Sequence, residues 1–416
     1  MVNDMRKMLI PEYKSLEFQR LNNLFILLTD YREENLKESL PLITRFEISQ
    51  YYLSSLEKQK TIEQEVVSQL AKHKKEILFN NLFFLNHAAH LLQQLKENNI
   101  ECIALKGLSF INHLYEDISL RSFCDLDLLI HKEDVRSFID VTSQKGFALK
   151  CEVNDPDNTD DFDIYNEQTK LKVDILTTLT GGYYFKRYFD LDLSQVWERK
   201  KPLKIQETET FRLSEEDELL YSIVHLAFHL NFHVEIKWFF DLWYYLEKYG
   251  SFLDREYLNE KVKTAGLENV IFAVTEVLNW MFNKDYRDIF GVEKPRFRLF
   301  DRTWVRFYAF PPRLFGTSLE FPGVVNRMAI TFMKYALIAS PGKKWKFVTD
   351  RIFPDFDRIK FAYTKKFRIP LKFYFPMIYM LFLLLSPVFL TSLFTIFLVS
   401  TIYIKLTLLK HRFLHG

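Results

Sequence analysis

The spacing of apolar and polar positions changes twice along this chain of 416 residues. From residue 12 to about residue 98, apolar residues recur at helical spacing with charged residues between them, which predicts helices. From residue 99 to about residue 180, the apolar runs are short and are bounded by turn-forming residues, which predicts strands with intervening helices. Helical spacing returns at Ser214 and continues to about residue 340. The pattern therefore predicts an α+β core between two helical regions.

Five strands and two helices make up the predicted core. The strands are residues 100–105, 124–130, 147–153, 162–167 and 171–178, and the helices are residues 108–115 and 132–146. We expect the last two strands to form a hairpin. The acidic stretch 155–163 is interpreted as a solvated loop, because it lacks the glycine and the terminal glutamate of an EF-hand.

Residues 373–404 form a run without a charged side chain. A membrane-spanning helix needs about 20 apolar residues, so this run is long for one span and short for two. Pro387 lies near its middle and both flanks are basic, which places both flanks in the cytoplasm. We therefore expect a shallow hairpin bent at Pro387. A single tilted span and a buried pair of soluble helices remain as alternatives.

These patterns divide the chain into five predicted regions. They are a helical N-terminal region (1–98), a small mixed-sheet core (99–212), a helical domain (213–345), a basic connector (346–372) and a membrane-associated hydrophobic segment (373–404). The N-terminal residues contain no apolar signal-peptide core, so we expect the protein at the cytoplasmic face of the cell membrane, held to the lipid bilayer by residues 373–404.

The net charge and the cysteine content bear on nucleic-acid binding, disulfide bonding and zinc binding. The net charge of +2 argues against an extended nucleic-acid surface. Three cysteines without a C-x-x-C pair argue against a disulfide framework and against a cysteine-based zinc site.

Two carboxylates lie one residue apart in the second predicted strand. Because residues two apart in a strand project to the same face, Asp125 and Asp127 are expected side by side, where they repel each other. A divalent cation removes that conflict, and Mg²⁺ prefers carboxylates together with substrate phosphates. Asp174 lies in another apolar strand, from which it reaches the same site and completes a place for two Mg²⁺ ions. A structural pair between Asp174 and Lys172 is the alternative.

A predicted phosphate site lies upstream of the aspartates. Gly107 ends a strand and opens a helix, so the backbone can approach a phosphate closely at a helix N-terminus. Lys106 adds a point charge, and Arg121 adds a planar fork for phosphate oxygens. The alternatives are a solvated turn lysine at position 106 and a pairing of Arg121 with Glu116 or Asp117.

The order of these motifs resembles a known family. A helical region, the Lys106-Gly107 turn, the strand with Asp125 and Asp127, and the later strand with Asp174 look like the poorly characterised bacterial nucleotidyltransferases of the DNA polymerase beta-like superfold. The resemblance covers roughly residues 60–250.

The resemblance implies roles for these residues. Lys106 and Gly107 stand where the wider superfold has a Gly-Ser turn for the β- and γ-phosphates, whereas Ser109 lies two residues further on. Asp125 and Asp127 are implied as metal ligands, and Asp174 as the third carboxylate that helps to deprotonate the acceptor. Residues 99–212 are then the nucleotidyltransferase core.

Three further residues are candidates for the cleft. His225 and His229 share a helix face at i and i+4, and the resemblance reaches this helix, so both are candidate nucleotide or acceptor contacts. The alternatives are core histidines and, less in keeping with the sequence, zinc ligands, because no H-E-x-x-H motif is present. Lys237 is expected either to pair with Asp241 at i+4 or to reach a phosphate.

The expected function is Mg²⁺-dependent transfer of a nucleoside monophosphate from an NTP to a hydroxyl acceptor. The membrane segment suggests a membrane-proximal acceptor, and the resemblance suggests a sugar or a lipid-linked glycan. A catalytically inactive nucleotide-binding or scaffold protein at the membrane is the main alternative. An antitoxin-like enzyme that modifies a protein or tRNA is a third.

Overall fold

The computed structural model describes residues 64–150, 161–179, 187–189, 193–229, 236–292, 331 and 334–352, together with positions 43 and 48. The α-helices in these ranges are α1 (Gln64–Glu97), α2 (Lys106–His113), α3 (Val135–Ser143), α4 (Leu193–Arg199), α5 (Glu215–His229), α6 (Ile236–Tyr249), α7 (Arg255–Ala265), α8 (Glu268–Phe282) and α9 (Pro341–Ile352). The strands are β1 (Cys102–Leu105), β2 (Asp125–Ile130), β3 (Phe147–Leu149), β4 (Asp161–Asn166), β5 (Leu171–Leu176), β6 (Lys201–Ile205) and β7 (Thr208–Arg212).

Within the described ranges, the seven strands form one mixed sheet in the order β3-β4-β5-β2-β1-β7-β6. β2 runs parallel to β5 and β1 runs parallel to β7, whereas the other neighbouring strands are antiparallel. The predicted mixed sheet is confirmed, and so is the β4–β5 hairpin. The β6–β7 hairpin at the opposite edge has no counterpart among the predicted strands.

The two faces of the sheet have different environments. One face carries the apolar positions of β1, β2, β4, β5 and β6, and it packs against α1 and α3 in the main core. The opposite face has a smaller apolar cluster, which includes Leu105, Leu129, Val196 and Tyr221. Toward β5 and β4 this second face is polar and partly open, because their residues alternate between buried and half-exposed. The polar part of the second face is therefore the accessible one.

A buried asparagine on α1 fixes the chain that leads into β2. Asn81 is fully buried, and its side-chain amide donates to the backbone carbonyls of Ile118 and Arg121. Its side-chain oxygen accepts from the backbone N–H of Phe123 at 3.4 Å. These bonds satisfy polar backbone groups that would otherwise be buried without partners. They set the position at which β2 begins.

Helix α5 begins where the sequence predicts, directly after Ser214. The Ser214 hydroxyl donates to the Asp217 carboxylate at 2.7 Å and accepts from the Asp217 N–H at 3.3 Å. Arg199 of α4 pairs with Glu216 and Asp217 in the acidic first turn. Fully buried Glu218 accepts from Ser109 of α2 at 2.5 Å. The acidic turn therefore joins the sheet region to the helical region and also complements the helix dipole.

One local prediction is wrong in part. Residues 161–163, at the end of the predicted solvated loop, lie in strand β4, which agrees with the overlapping predicted strand 162–167, because residues 161–166 pair with β5 over their whole length. Residues 341–352, which cross the predicted boundary between the helical domain and the basic connector, form α9, with Pro341 at the first helical position.

Other predictions concern residues outside the described ranges. They include the loop residues 151–160 and the hydrophobic segment 373–404. Among the helices that the structure describes, none combines the length and the apolar character of a membrane span. The elements from α1 to α8 lie in one compact unit, and α9 lies in another. The predicted region boundaries stay predictions.

Replacing Asn81 by alanine is expected to destabilise the fold. The variant leaves two buried carbonyl groups and one N–H group without their partner, so the free energy of unfolding should fall by about 2–4 kcal/mol. Urea unfolding followed by circular dichroism measures this change. Asn98→Ala is the control, because the Asn98 amide bonds the Gln94 carbonyl in an exposed position. Equal stability of the two variants would contradict the role given to Asn81.

Candidate active site

Strand register places carboxylates side by side on the open face of the sheet. Asp127 of β2 is the direct partner of Asp174 of β5, and Asp174 is the direct partner of Asp163 of β4. Directly paired residues project to the same face, and Asp125 shares that face as the residue two before Asp127. The structure thus brings together the three predicted carboxylates and adds a fourth, Asp163. We call these four side chains the carboxylate row.

Lys106 lies at one end of the carboxylate row. β1 ends at Leu105, which pairs with Asp127 of β2. Helix α2 begins at the next residue, Lys106, which therefore lies beside Asp127. Its ammonium nitrogen is 2.5 Å from Asp127 Oδ1. Lys106 has a φ of +45°, a left-handed conformation that costs a non-glycine residue roughly 1–2 kcal/mol. The predicted alternative of a solvated turn lysine does not describe this residue, whose side chain is 17% exposed.

Charge and burial compete at this pair. Burial raises the pKa of Asp127 to about 6, against the opposing effect of Lys106, and the nearby Asp125 carboxylate raises it further. Burial lowers the pKa of Lys106, but the combined effects of Asp127, Tyr221 and Asp125 outweigh it, so the pKa lies above its ordinary value. Burial is therefore the main influence on Asp127, and the surrounding negative groups are the main influence on Lys106.

Lys172 lies beside the middle of the row, on β5 two residues before Asp174 and directly opposite Asp125 of β2. Its ammonium nitrogen is 2.5 Å from Asp174 Oδ1, donates to Asp174 Oδ2 at 2.7 Å, and is 3.5 Å from Asp163 Oδ2. The pairing of Lys172 with Asp174, given above as an alternative to a catalytic role, is therefore present. Burial raises the pKa of Asp174, Lys172 opposes this, and Asp163 adds to it. Asp163 lies where the predicted loop 155–163 and the predicted strand 162–167 overlap, and no sequence motif marks it as a site residue.

Gly107 is buried against the Arg121 side chain. A Cβ atom at position 107 would lie 2.5 Å from Arg121 Nη1 and 2.9 Å from Phe123 Cβ. Arg121 itself is 5% exposed, and its Nε and Nη2 donate to Asp241 Oδ2 at 3.2 and 3.1 Å. The Arg121 partner is thus Asp241 of α6, rather than Glu116 or Asp117. Phosphate binding by Gly107 and Arg121 stays a prediction, and both residues have a packing role in this structure.

Tyr221 of α5 covers the site from the helical side. It is 2% exposed, and the Lys106 ammonium lies 6.0 Å from its ring centroid. Burial raises the pKa of Tyr221, with Lys106 opposing and the Asp127 carboxylate adding to the rise. The helical spacing of α5 predicts a core residue at this position and gives no sign of its nearness to the carboxylates.

The remaining predicted cleft residues lie on α5 and α6. His225 is half-buried between aromatic rings, 6.0 Å from the Tyr221 centroid and 5.1 Å from the Trp238 centroid. Lys237 is buried near the start of α6. His229 is the last residue of α5, and its side chain lies outside the described part of the structure. Contacts of these three residues with a nucleotide stay predictions.

The chemistry of the carboxylate row suits a hard divalent cation. The Asp174 carboxylate is partly buried, and the Lys172 ammonium contacts both of its oxygens, at 2.5 Å from Oδ1 and 2.7 Å from Oδ2. Carboxylate oxygens of this kind are the ligands that Mg²⁺ prefers. Among the described residues, no group of three or more His, Cys, Asp or Glu side chains is gathered closely enough to hold a metal ion. Lysine ammonium groups instead lie against the oxygens of Asp127 and Asp174.

Comparison with known proteins agrees with the resemblance drawn from the sequence. A family model described as uncharacterised nucleotidyltransferase matches residues 33–283, which is more than half of the chain. The match includes the carboxylate row, Lys106 and Lys172. Comparisons with curated proteins and with solved structures give no significant match. The predicted family is confirmed.

Gly107→Ala is expected to lower stability, because its Cβ would displace the Arg121 guanidinium from its contact. Such overpacking costs about 1–3 kcal/mol, and thermal unfolding of the full-length chain measures it. Gly342→Ala is the control, since a Cβ there would lie 3.9 Å from Ser340 Oγ, an ordinary van der Waals distance. A Gly107→Ala protein with unchanged stability would show that the Arg121 contact does not require the glycine.

Proposed function

Because this chain belongs to the family of uncharacterised nucleotidyltransferases, we propose that it transfers a nucleoside monophosphate from an NTP to a hydroxyl acceptor, with Mg²⁺ as cofactor. The observation that carries the proposal is the register of β2 and β5, which places Asp127 directly opposite Asp174 with Asp125 on the same face. Three carboxylates on two adjacent parallel strands would serve as ligands for hard cations next to a triphosphate.

Each residue of the site has a proposed task. Asp125, Asp127 and Asp174 would hold two Mg²⁺ ions, which neutralise the triphosphate and activate the acceptor when bound. Lys106 would neutralise charge that develops on the leaving pyrophosphate, because its ammonium already lies at the edge of the row. The N-terminus of α2 at Gly107 offers backbone N–H groups and a positive dipole end to the same phosphates.

The proposed reaction is an in-line displacement at the α-phosphorus. The acceptor oxygen forms a bond to this atom while the bond to the bridging oxygen of the β-phosphate breaks, and pyrophosphate leaves with that oxygen. The acceptor proton passes to a carboxylate oxygen of Asp174, which lies on the face shared with Asp125 and Asp127. No covalent intermediate with the protein is needed.

A second candidate function is a nucleotide-binding or scaffold protein without turnover. Two observations favour it, namely the lysines on the carboxylates and the engagement of Arg121 by Asp241. Pyrophosphate release separates the two functions, because a scaffold binds NTP but releases no pyrophosphate.

We also propose that the protein acts at the cytoplasmic face of the cell membrane, with a membrane-proximal acceptor. The charge-free run of residues 373–404 and its basic flanks support this. Helix α9 adds support, since Trp345 is 70% exposed and lies among Lys343, Lys344 and Lys346. An exposed tryptophan among lysines suits an anionic lipid surface.

Replacing any of the three proposed ligand carboxylates should strongly lower turnover. Asp125→Asn, Asp127→Asn and Asp174→Asn are each expected to lower the rate of Mg²⁺-dependent pyrophosphate release by about a hundredfold to a thousandfold, because each removes a group that positions charge at the transition state. The assay screens the four NTPs with sugar and lipid-linked hydroxyl acceptors. Asp140→Asn on the exposed side of α3 is the matched control.

Calorimetric titration with each NTP provides the second readout. Binding should require both Mg²⁺ and the pair Asp125 and Asp127. Binding and pyrophosphate release that persist in the Asp127→Asn protein would contradict the proposed site. Mg²⁺-dependent binding without pyrophosphate release for any acceptor would favour the scaffold.

The membrane proposal has its own prediction. The full-length chain should remain in the membrane fraction after alkaline carbonate washing, and a chain without residues 373–404 should be released, because the apolar segment would hold it in the bilayer. Immunoblotting of the two fractions measures this. Release of the full-length chain by carbonate would contradict the proposal.

A further inference from the structure

We propose that Lys172 is an exchangeable counterion of the active site. It holds Asp174 while no divalent cation is bound, and it passes to Asp163 when a cation takes Asp174. This inference rests on the proposed function, because it requires that Asp174 serve as a cation ligand. It assigns tasks to Lys172 and Asp163, two residues that the sequence motifs do not include.

The geometry provides two adjacent places for one ammonium group. Lys172 and Asp174 lie two residues apart in β5, so their side chains share a face, and Asp163 of β4 is the direct partner of Asp174 on that face. The Lys172 ammonium is 2.5 and 2.7 Å from the two Asp174 oxygens and 3.5 Å from Asp163 Oδ2. The second carboxylate is therefore already within ion-pair distance, and a small movement of a flexible side chain completes the exchange.

Exposure decides which lysine moves. The side chain of Lys172 is 30% exposed and that of Asp163 is 43% exposed, so water screens their charges while they separate and pair again. Lys106 and Asp127 are 17% and 7% exposed, and separating a buried pair leaves uncompensated charges. Lys172 is thus the weaker-held counterion, and Lys106 is the fixed one.

A cation at Asp174 makes the present position of Lys172 unfavourable. Two positive charges that share one carboxylate repel each other, and hydrogen bonding by Lys172 takes Asp174 Oδ2 from the cation. Transfer to Asp163 relieves the repulsion and frees both Asp174 oxygens. The apparent affinity of the site for a divalent cation therefore includes competition with Lys172, and Asp163 reduces the cost of that competition.

The test is Mn²⁺ binding to the full-length protein without nucleotide, measured by electron paramagnetic resonance. Lys172→Met removes the competing ammonium and should tighten Mn²⁺ binding by about tenfold. Coupling energies of close charge pairs correspond to changes in affinity of about tenfold or more. The control is Lys204→Met, which removes the same charge from an exposed pair with Glu207 on the edge strand β6. It should leave the affinity unchanged.

Asp163→Asn tests where the ammonium goes. In the otherwise unchanged protein it should weaken Mn²⁺ binding by about tenfold, because Asp125, the remaining carboxylate beside Lys172, is itself proposed as a cation ligand. In the Lys172→Met background the same substitution should have a clearly smaller effect, because no ammonium needs a partner. This non-additivity separates exchange from a direct Asp163 ligand, which would lower the affinity equally in both backgrounds.

The outcomes distinguish the exchange from the proposed function. Mn²⁺ binding that is lost in Asp127→Asn but unaltered in Lys172→Met would overturn the exchange and leave the metal site standing. Equal effects of Asp163→Asn in both backgrounds would also overturn it. Absence of Mn²⁺ binding by both the unsubstituted and the Lys172→Met proteins, each with an unchanged circular dichroism spectrum, would overturn the metal site and the exchange together.

Discussion

Repulsion among carboxylates on one face of a sheet is the constraint on which the rest of this structure depends. The register of β2, β5 and β4 places Asp127, Asp174 and Asp163 in one row, and like charges at such spacing destabilise a fold unless cations accompany them. Lys106 and Lys172 are those cations. The direct passage from β1 into α2, with its left-handed residue, brings the first lysine into place, and the alternation of β5 brings the second.

The helical region takes part in building the site, although the sequence suggests a separate domain from residue 213. Asp241 of α6 holds Arg121 before β2, and Tyr115 donates to the same aspartate at 2.6 Å. Glu218 of α5 accepts from Ser109 behind the α2 N-terminus, and Tyr221 covers the Lys106 ammonium. Because these contacts are buried, movement of the helices relative to the sheet would change the position of β2 and thus of its carboxylates.

Local patterns predicted the parts of the site that depend on local rules. Period-two alternation indicates that Asp125 and Asp127 share a face, and apolar flanks place Asp174 in a strand. Pairing between distant segments obeys no such rule, so the partner of Arg121, which is 120 residues away, was not predicted. Asp163 was not predicted as a site residue because its place beside Asp174 depends on the pairing of β4 with β5, although the predicted strand 162–167 contains it. The β6–β7 hairpin was missed because its two strands carry charges at many positions and bury few apolar residues.

The unequal depth of the two lysines connects stability with cation binding. A ligand set that is assembled before its cation arrives needs a counterion for its buried charge. Lys106 provides it for Asp127, and this pair is hard to separate because separation would leave uncompensated buried charges. A counterion that also blocks a ligand must be easy to separate, which requires screening by water and a nearby second partner. Lys172 has both, because its side chain is more exposed and Asp163 lies beside Asp174. The sheet meets both requirements because exposure increases along the row from the buried strand β2 to the more exposed strand β4, and because the pairing of β4 with β5 places Asp163 beside Asp174.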